Sequence, residues 1–360
     1  MEERAVSASG LDGVVVADTR LSEVDGERGR LVIAGRDVER LAGDATFEET
    51  AALLWGGDAG EARREIAAGR ALAFERIGRI GDALERADGM DALRASLAHL
   101  DAEGGFATPA RVTGAVATFA AAWARLRAGA RPIAPDPALG HAADYLRMST
   151  GNAAAPALAA GLDAYLVTVS DHGMNASTFA ARVVTSTGSD IVSAVVAAVG
   201  ALKGPLHGGA PGPVLDMLDA IGDPARAAAW IEGELVAGRR IMGMGHRIYR
   251  VRDPRAAVLE RATQALERAG VSTGRLELAR AVERAAEGAL RQKHPDRPLR
   301  ANVEFYTAVL LDTVGLDRAQ FSPTFAVGRA AGWTAHVMEQ RAVGRLIRPA
   351  SRYVGAMPAP

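Results

Sequence analysis

Two histidines of this chain sit among glycines, His207 in GPLHGGAPG (204–212) and His246 in MGMGH (242–246). Flanking glycines give up helix stability and let backbone or ligand come close to an imidazole ring. The plain alternative, an ordinary loop with an incidental His, would have to hold twice in one chain. Two further segments carry related groups: SDHGMNASTFAARVV (170–184), with His172 and Asn175, and NVEFYTAVLLDTVGL (302–316), with Glu304 between Val303 and Phe305. A carboxylate among apolar neighbours tends to a raised pKa, which suits a general base. Arginines are suited to binding carboxylates, and Arg250 and Arg255 follow His246 in IMGMGHRIYRVRDPRA (241–256). Imidazole electrophiles, guanidinium groups and one tuned carboxylate are a kit for carbon-acid chemistry on an anionic substrate.

Other chemistries are excluded by what the sequence lacks. Cys is absent, which removes disulfides, thiolate nucleophiles and Cys-ligated metals. The seven histidines form no HExxH, no HxH and no cluster with metal spacing, so no metal site is expected. There is no GxSxG elbow and no phosphate-cradling Walker loop. Gly243-Met244-Gly245 has neither a strand before it nor a third Gly after it, so it is not a dinucleotide fingerprint. The 42 basic and 43 acidic residues leave a formal net charge of −1, which provides no whole-molecule footprint for nucleic acid or an anionic membrane. The most apolar run, Ile191 to Leu202, is about half the ~20 residues that span a bilayer. No apolar h-region opens the chain, so a cytoplasmic protein is expected.

These side chains must be positioned by helices. With 360 residues, 49% apolar but only 5% aromatic, the chain has material for about two domains of closely packed, Ala-rich helices. Strand material is confined to residues 14–33, VVVADTRLS and GRLVIAG, separated by the turn-prone EVDGERG. Thr46 and Glu49 have capping-box spacing ahead of a helix that Gly56-Gly57 ends. Pro109 to Arg127 reads as a long helix closed by Gly129. Asp190 to Lys203 reads as a buried central helix, and Asp253-Pro254 as an N-cap followed by Pro at the first helical position. The fold class is mainly α with a small N-terminal β element. His99, His141, His294 and His336 have no motif context and read as structural.

The order of these segments resembles the citrate synthase family over almost the whole chain. FEETAALLW, PIAPDP, DAYLVTVSDHGMNASTFAARVV, GALKGPLHGGA, MGMGHRIYRVRDPRA, NVEFY and GRAAGWTAHVMEQ carry the resemblance, and GPLHGGA and GHRIYRVRDPRA are its specific parts. It implies a homodimer with a large helical domain, 1–207 and 312–360, and a small helical domain, 208–311, inserted between them. It also implies condensation of acetyl-CoA with oxaloacetate, acetyl-CoA being a co-substrate, with no further cofactor.

The resemblance assigns roles residue by residue. His207 would stabilise the enolate at the thioester oxygen, His246 would polarise the ketone, and Glu304 would remove the methyl proton. His172 and Asn175 would contact the dicarboxylate. Arg255, Arg329 and Arg348 would bind its carboxylates, Arg348 from across the dimer, and Arg250 would lie near the CoA phosphates. The chain departs from the family at Glu304, where Asp is usual, at Ala350, where many members have Arg, and at Ala210-Pro211-Gly212, which is stiffer than the usual loop. The rival readings are 2-methylcitrate synthesis from propionyl-CoA through the same residues, and a non-catalytic paralogue whose only support is Glu304.

Overall fold

The computed structural model describes residues 9–11, 13–207, 211–271, 273–296 and 299–358. Among them are a three-stranded antiparallel sheet and fifteen α-helices. The sheet comprises β1 (Ser22–Asp25), β2 (Arg30–Ile33) and β3 (Arg36–Asp37), in that spatial order. In sequence, part of EVDGERG reads as turn; in the structure Glu23, Val24 and Asp25 belong to β1. Residues 14–21 are not a strand, and Val14 and Val15 are exposed. The reason is register: the tight turn over 26–29 pairs Asp25 with Arg30 and Ser22 with Ile33, and β2 ends at Ile33, so beyond the Ala34 N–H on Leu21 O (2.8 Å) no strand is left to pair with 14–20.

The helices of the first half are α1 (Val38–Asp44), α2 (Phe47–Trp55), α3 (Ala59–Arg76), α4 (Gly89–Leu97), α5 (Pro109–Arg127), α6 (His141–Thr150), α7 (Pro156–Val169), α8 (Ala176–Ser186) and α9 (Ile191–Leu202). Those that follow are α10 (Pro211–Ile221), α11 (Ala227–Val236), α12 (Pro254–Arg268), α13 (Arg275–Lys293), α14 (Val303–Thr313) and α15 (Phe321–Val343). Caps fall where residue type placed them. Thr46 and Glu49 form a reciprocal capping box on α2, and Gly56 closes that helix in the left-handed conformation. Asp253 caps α12 with Pro254 at its start.

Two helices form the centre of the larger body. α5 is buried around most of its circumference and packs on α3, α4, α6 and α15; α15 also contacts α2, α7, α8 and α9. Small residues set the spacing. A Cβ on Gly69 of α3 would lie 2.4 Å from the Arg111 carbonyl oxygen, and one on Gly114 of α5 would lie 2.3 Å from that of Ile66. α9 differs from its expected central placement: Ile191, Val195, Ala198, Val199 and Leu202 are buried, but Val196 and Gly200 are only half-buried. An all-round apolar helix here covers one face within a single chain.

The second body contains α10, α11 and α13, with α14 packed on α10, α12 and α13. α12 and α14 also pack on α7, and α12 on α1, so the two bodies meet there. A boundary between Leu311 and Asp312 would fall inside α14, which is one continuous helix. No helix among the described residues is long and apolar enough to cross a membrane.

Candidate active site

Six of the sequence candidates, His172, His207, His246, Arg255, Glu304 and Arg329, converge where α7 ends and α8, α12 and α14 begin, against the middle of α15. His172 lies in the 170–175 connection between α7 and α8. This connection is pressed against α15, where a Cβ on Gly332 would lie 2.2 Å from the Ser170 carbonyl oxygen and 2.7 Å from Asp171 Oδ1. No other residue fits that crossing. His207 follows α9, His246 lies in the loop before α12, and Glu304 occupies the first turn of α14.

Backbone amides decide which face His246 shows. Its Nδ1 accepts the N–H groups of Ile248 (3.0 Å) and Tyr249 (3.1 Å). A nitrogen that accepts carries no proton, so the neutral ring holds its proton on Nε2. Burial, with the Arg255 charge beside it, lowers its pKa to about 4, so the ring is neutral near pH 7. Arg255 Nη2 lies 3.3 Å from that Nε2. Both are donors, and they share an unmet need for an acceptor.

Arg255 is itself held rigidly. Its Nε and Nη2 donate to Asp253 at 3.0 and 2.8 Å, and Asp253 Oδ2 also accepts the N–H of Val303 at 3.2 Å. One buried carboxylate therefore ties the start of α12 to the start of α14 and to Arg255. The Asn302 side chain caps α14 by accepting the Glu304 N–H (3.0 Å) and donates to Gly245 O (2.8 Å), which fixes Glu304 relative to the His246 loop.

His207 is set by Ser177. The Ser177 N–H, which can only donate, lies 3.3 Å from His207 Nε2, and Ser177 Oγ lies 2.8 Å from it. Trp333 Nε1 donates into the same hydroxyl oxygen at 3.0 Å, and that hydroxyl donates to Asn175 Oδ1 at 2.8 Å. The Ser177 N–H, a donor, sets the lone pair of His207 on Nε2 and its proton on Nδ1. Burial, then the charge of Arg329, lowers its pKa to about 4. His172, also buried, places Nε2 3.1 Å from the Tyr249 hydroxyl and stands edge-on to His246 with ring centroids 5.8 Å apart. Its pKa is held well below the usual range by burial and by Arg255 and Arg329. Three neutral imidazoles result.

Glu304 makes no ion pair or side-chain hydrogen bond to another described residue, and burial raises its pKa to about 7 against the pull of Arg255 and Arg329. The sequence expectation of a raised pKa rested on Val303 and Phe305, but the desolvation comes from the whole junction. Arg329, on α15, is buried; it donates Nε to Val169 O (2.5 Å) and stacks over Phe325 (4.9 Å). Its pKa falls to about 10, chiefly through burial.

Three sequence candidates behave differently. Asn175 is the N-cap of α8, its Oδ1 accepting from Ser177 and Thr178 N–H (both 3.1 Å) and its amide donating to Gly173 O. Arg250 has an exposed side chain on the rim, with its N–H on Gly26 O. Arg348 lies in the exposed segment after α15 and does not join this chain's cluster; that segment is held by the Ile347 N–H on Ser186 Oγ (3.0 Å). Of the 208–212 loop whose stiffness the sequence suggested, Gly208, Gly209 and Ala210 lie outside the described residues.

Sequence reasoning gave no role in the site to Ser177, Tyr249, Asp253, Asn302 or Trp333, although all five lie inside the quoted segments and Asp253 reads as an N-cap. His336, taken as structural, is buried against Asp171 (3.1 Å) directly behind His172. A cavity of about 460 Å³ lined by Glu48, His141 and Asp163 shares no residue with the histidine cluster, so chemistry and not size locates this site. No group of His, Asp and Glu among the described residues could hold a metal ion.

The model of the citrate synthase C-terminal domain family matches residues 10–350. The chain belongs to the citrate synthase family. It is 38% identical to a citrate synthase of Haloferax volcanii over 96% of this chain and 95% of that protein. It is also 38% identical to a 2-methylcitrate synthase of Mycobacterium tuberculosis, over 99% of this chain and 92% of that one. In structure it superposes on Thermoplasma acidophilum citrate synthase, solved as a ternary complex with carboxymethyl coenzyme A and oxaloacetate. The TM-score is 0.87 with 27% identity, over 98% of this chain and 97% of the other. The protein is therefore an enzyme of the citrate synthase family with its mainly α fold. His172, His207, His246, Glu304, Arg255 and Arg329 occupy one junction between helices.

Proposed function

We propose that the chain condenses acetyl-CoA with oxaloacetate and hydrolyses the resulting thioester to citrate and CoA. The observation that carries this reading is the pair of facing donors, His246 Nε2–H and Arg255 Nη2, 3.3 Å apart. A 2-oxo dicarboxylate satisfies both, its ketone oxygen on the imidazole and a carboxylate on the guanidinium, with Arg329 and His172 completing the anion's surroundings. Glu304, with a pKa raised to about 7, takes a proton from the acyl methyl group. His207 Nδ1–H meets the charge that forms on the thioester oxygen, and such a preorganised donor is worth roughly 3–4 kcal/mol. The enolate carbon attacks the ketone carbon, and the new alkoxide takes the Nε2 proton of His246, which is replaced from solvent as Glu304 gives up the methyl proton. Water then cleaves the thioester, releasing CoA.

Several parts of this reading extend beyond the single chain. Arg348 serves the partner's site in a homodimer, in keeping with its exposure here and its distance from the local cluster. Arg250 meets CoA phosphate from the rim. The segments 1–207 with 312–360, and 208–311, act as large and small domains that close on oxaloacetate. The enzyme works in the cytoplasm, without metal or further cofactor. The equal identity to a 2-methylcitrate synthase supports a second reading, propionyl-CoA as acyl donor; one methyl group is worth only ~1–3 kcal/mol in a pocket.

The test is oxaloacetate-dependent CoA release with each acyl-CoA. Higher kcat/KM for acetyl-CoA is expected; a preference for propionyl-CoA moves the assignment to the second reading, and no release with either removes both. Mixing Arg348→Ala with His207→Ala chains should restore activity through hybrid dimers, and no recovery after verified subunit exchange would count against the shared site.

A further inference from the structure

The β1–β2 hairpin has no part in the reaction above, yet it touches both loops that carry the dicarboxylate-facing imidazoles. On β1, Ser22 Oγ donates to Asp171 Oδ2 and accepts the Gly173 N–H at 2.8 Å, so one hydroxyl holds the residues on either side of His172. Asp171 is fully buried, and its other oxygen faces His336 Nε2 at 3.1 Å. Just before the strand, the Arg20 N–H donates to Glu339 on α15 at 2.9 Å, which anchors this end to the larger body.

The turn makes the opposite contact. Gly26 O accepts the Arg250 N–H at 2.9 Å, and a Cβ on Gly26 would lie 2.4 Å from the Ile248 carbonyl oxygen. A Cβ on Gly29, whose φ is +62°, would lie 2.5 Å from Val251 Cγ2. Ile248 and Tyr249 supply the two amides that hold His246 Nδ1. Four residues of strand at about 3.3 Å each reach from one loop to the other.

We propose that this hairpin is a clasp that sets His172 and His246 in register, with Ser22 and Gly26 as positioning residues for the dicarboxylate. The loop before α12 is tied to the start of α14 through Gly243 and Gly245 and to α12 and α13 through Arg252, and between those ties the Arg250 N–H finds its acceptor on the hairpin, at Gly26 O. Ile248 and Tyr249, whose amides hold His246 Nδ1, are thus positioned from outside their own loop, and a shift of either imidazole weakens the hold on the dicarboxylate between them. The inference rests on the reading of His172 and His246 as groups that face oxaloacetate.

The experiment uses the full chain as wild type, Ser22→Ala, Ser22→Thr and Gly26→Ala. It measures KM for each substrate, kcat, and hydrogen exchange over 244–252. Loss of two hydrogen bonds, one of them to the Asp171 carboxylate, predicts an oxaloacetate KM about tenfold or more higher in Ser22→Ala, with acyl-CoA KM within about twofold. Ser22→Thr, which keeps the hydroxyl, should restore the wild-type value. Gly26→Ala should raise the oxaloacetate KM at least as much and speed exchange at the Arg250 amide by about tenfold or more. An unchanged oxaloacetate KM in Ser22→Ala, or an equal loss toward both substrates that Thr does not rescue, overturns the clasp. If Gly26→Ala does not fold, the two Ser22 variants decide. Failure of the wild type to release CoA would sink the functional reading instead, and exchange over 244–252 in Ser22→Ala would still judge the clasp.

Discussion

Two buried clusters in this molecule are built from the same three residue types and have opposite characters. In one, Arg70 pairs with Asp144 at 2.8 Å, Arg147 joins the same carboxylate at 2.6 Å, and His141 lies 3.2 Å from Arg70. In the other, Arg255 pairs with Asp253 at 2.8 Å and His246 lies 3.3 Å from Arg255. The difference is which imidazole nitrogen faces the guanidinium. His141 turns Nδ1 toward Arg70, where a lone pair can accept, and stacks flat on Phe47. His246 has given Nδ1 to two amides and turns a protonated Nε2 toward Arg255. Matched donor and acceptor make a brace; two facing donors make a place for a ligand's oxygen. Open hydrogen-bond accounting alone does not mark the site, since His141 Nε2 is also buried without a partner; what singles out the His246 cluster is that two donors face each other where an anion's oxygen can accept from both.

The largest effect should come from the open cluster. Glu304→Gln should lower kcat by about 10³-fold or more, within the range of general-base contributions, while oxaloacetate binding measured by calorimetry stays near wild type. Near-normal turnover would remove Glu304 as the base. Glu304→Asp should also be slower than wild type, because the shorter side chain withdraws the carboxylate from a backbone that accommodates Glu.

Next in size is the brace. Asp144→Ala leaves Arg70 buried without its partner and should destabilise the fold by about 3–5 kcal/mol in denaturant unfolding, with little change in oxaloacetate KM for the folded fraction. Lost activity with retained stability would contradict the distinction drawn here. His207→Ala should then cost about 10²–10³ in kcat, the loss of one preorganised donor.

A smaller effect separates the groups by pH. In the free enzyme Glu304 must be ionised, and its pKa of about 7 predicts an acid limb in kcat/KM centred there. His207 and His246, at about 4, stay neutral across that range and add no limb of their own. A limb near 4.5 would mean that Glu304 is not desolvated in solution.

The smallest effect concerns stability. The folded pKa of Glu304 lies above its ordinary 4.5, so its stabilising contribution is full below about 4.5 and is lost as pH rises through about 7. Glu304→Gln should therefore unfold at higher temperature than wild type at pH 8, by about 1 kcal/mol after allowance for its partial exposure to solvent, and show no advantage near pH 4. Equal melting temperatures at both pH values would show that the site stores no such cost.

Much of the candidate site was legible because its chemistry is local in sequence. His207, His246, Arg255 and Glu304 stand in short segments whose glycines, caps and apolar neighbours are readable residue by residue. Helix ends were legible for the same reason, since Thr46 with Glu49, or Asp253 with Pro254, act over three or four residues. The strand at 14–21 was misread because β pairing depends on a partner and a register, and Val14 and Val15 have neither. α9 was misread as central because periodicity shows how apolar a helix is but not what lies against each face.

Sequence alone thus determined the helical class, the caps, and the residue types that could do this chemistry, because each depends on interactions within a few positions of the chain. Tertiary structure decided the rest. The proton on His246 Nε2 follows from two amides beside it and the guanidinium opposite; the proton on His207 Nδ1 follows from Ser177, thirty residues away in sequence. The raised pKa of Glu304 needs the burial created where α7, α12 and α14 meet, and Ser22 reaches Asp171 across 149 residues of chain. Tautomer, pKa and alignment are properties of neighbours brought together in space, and neighbours in space are what a linear string of residue types does not contain.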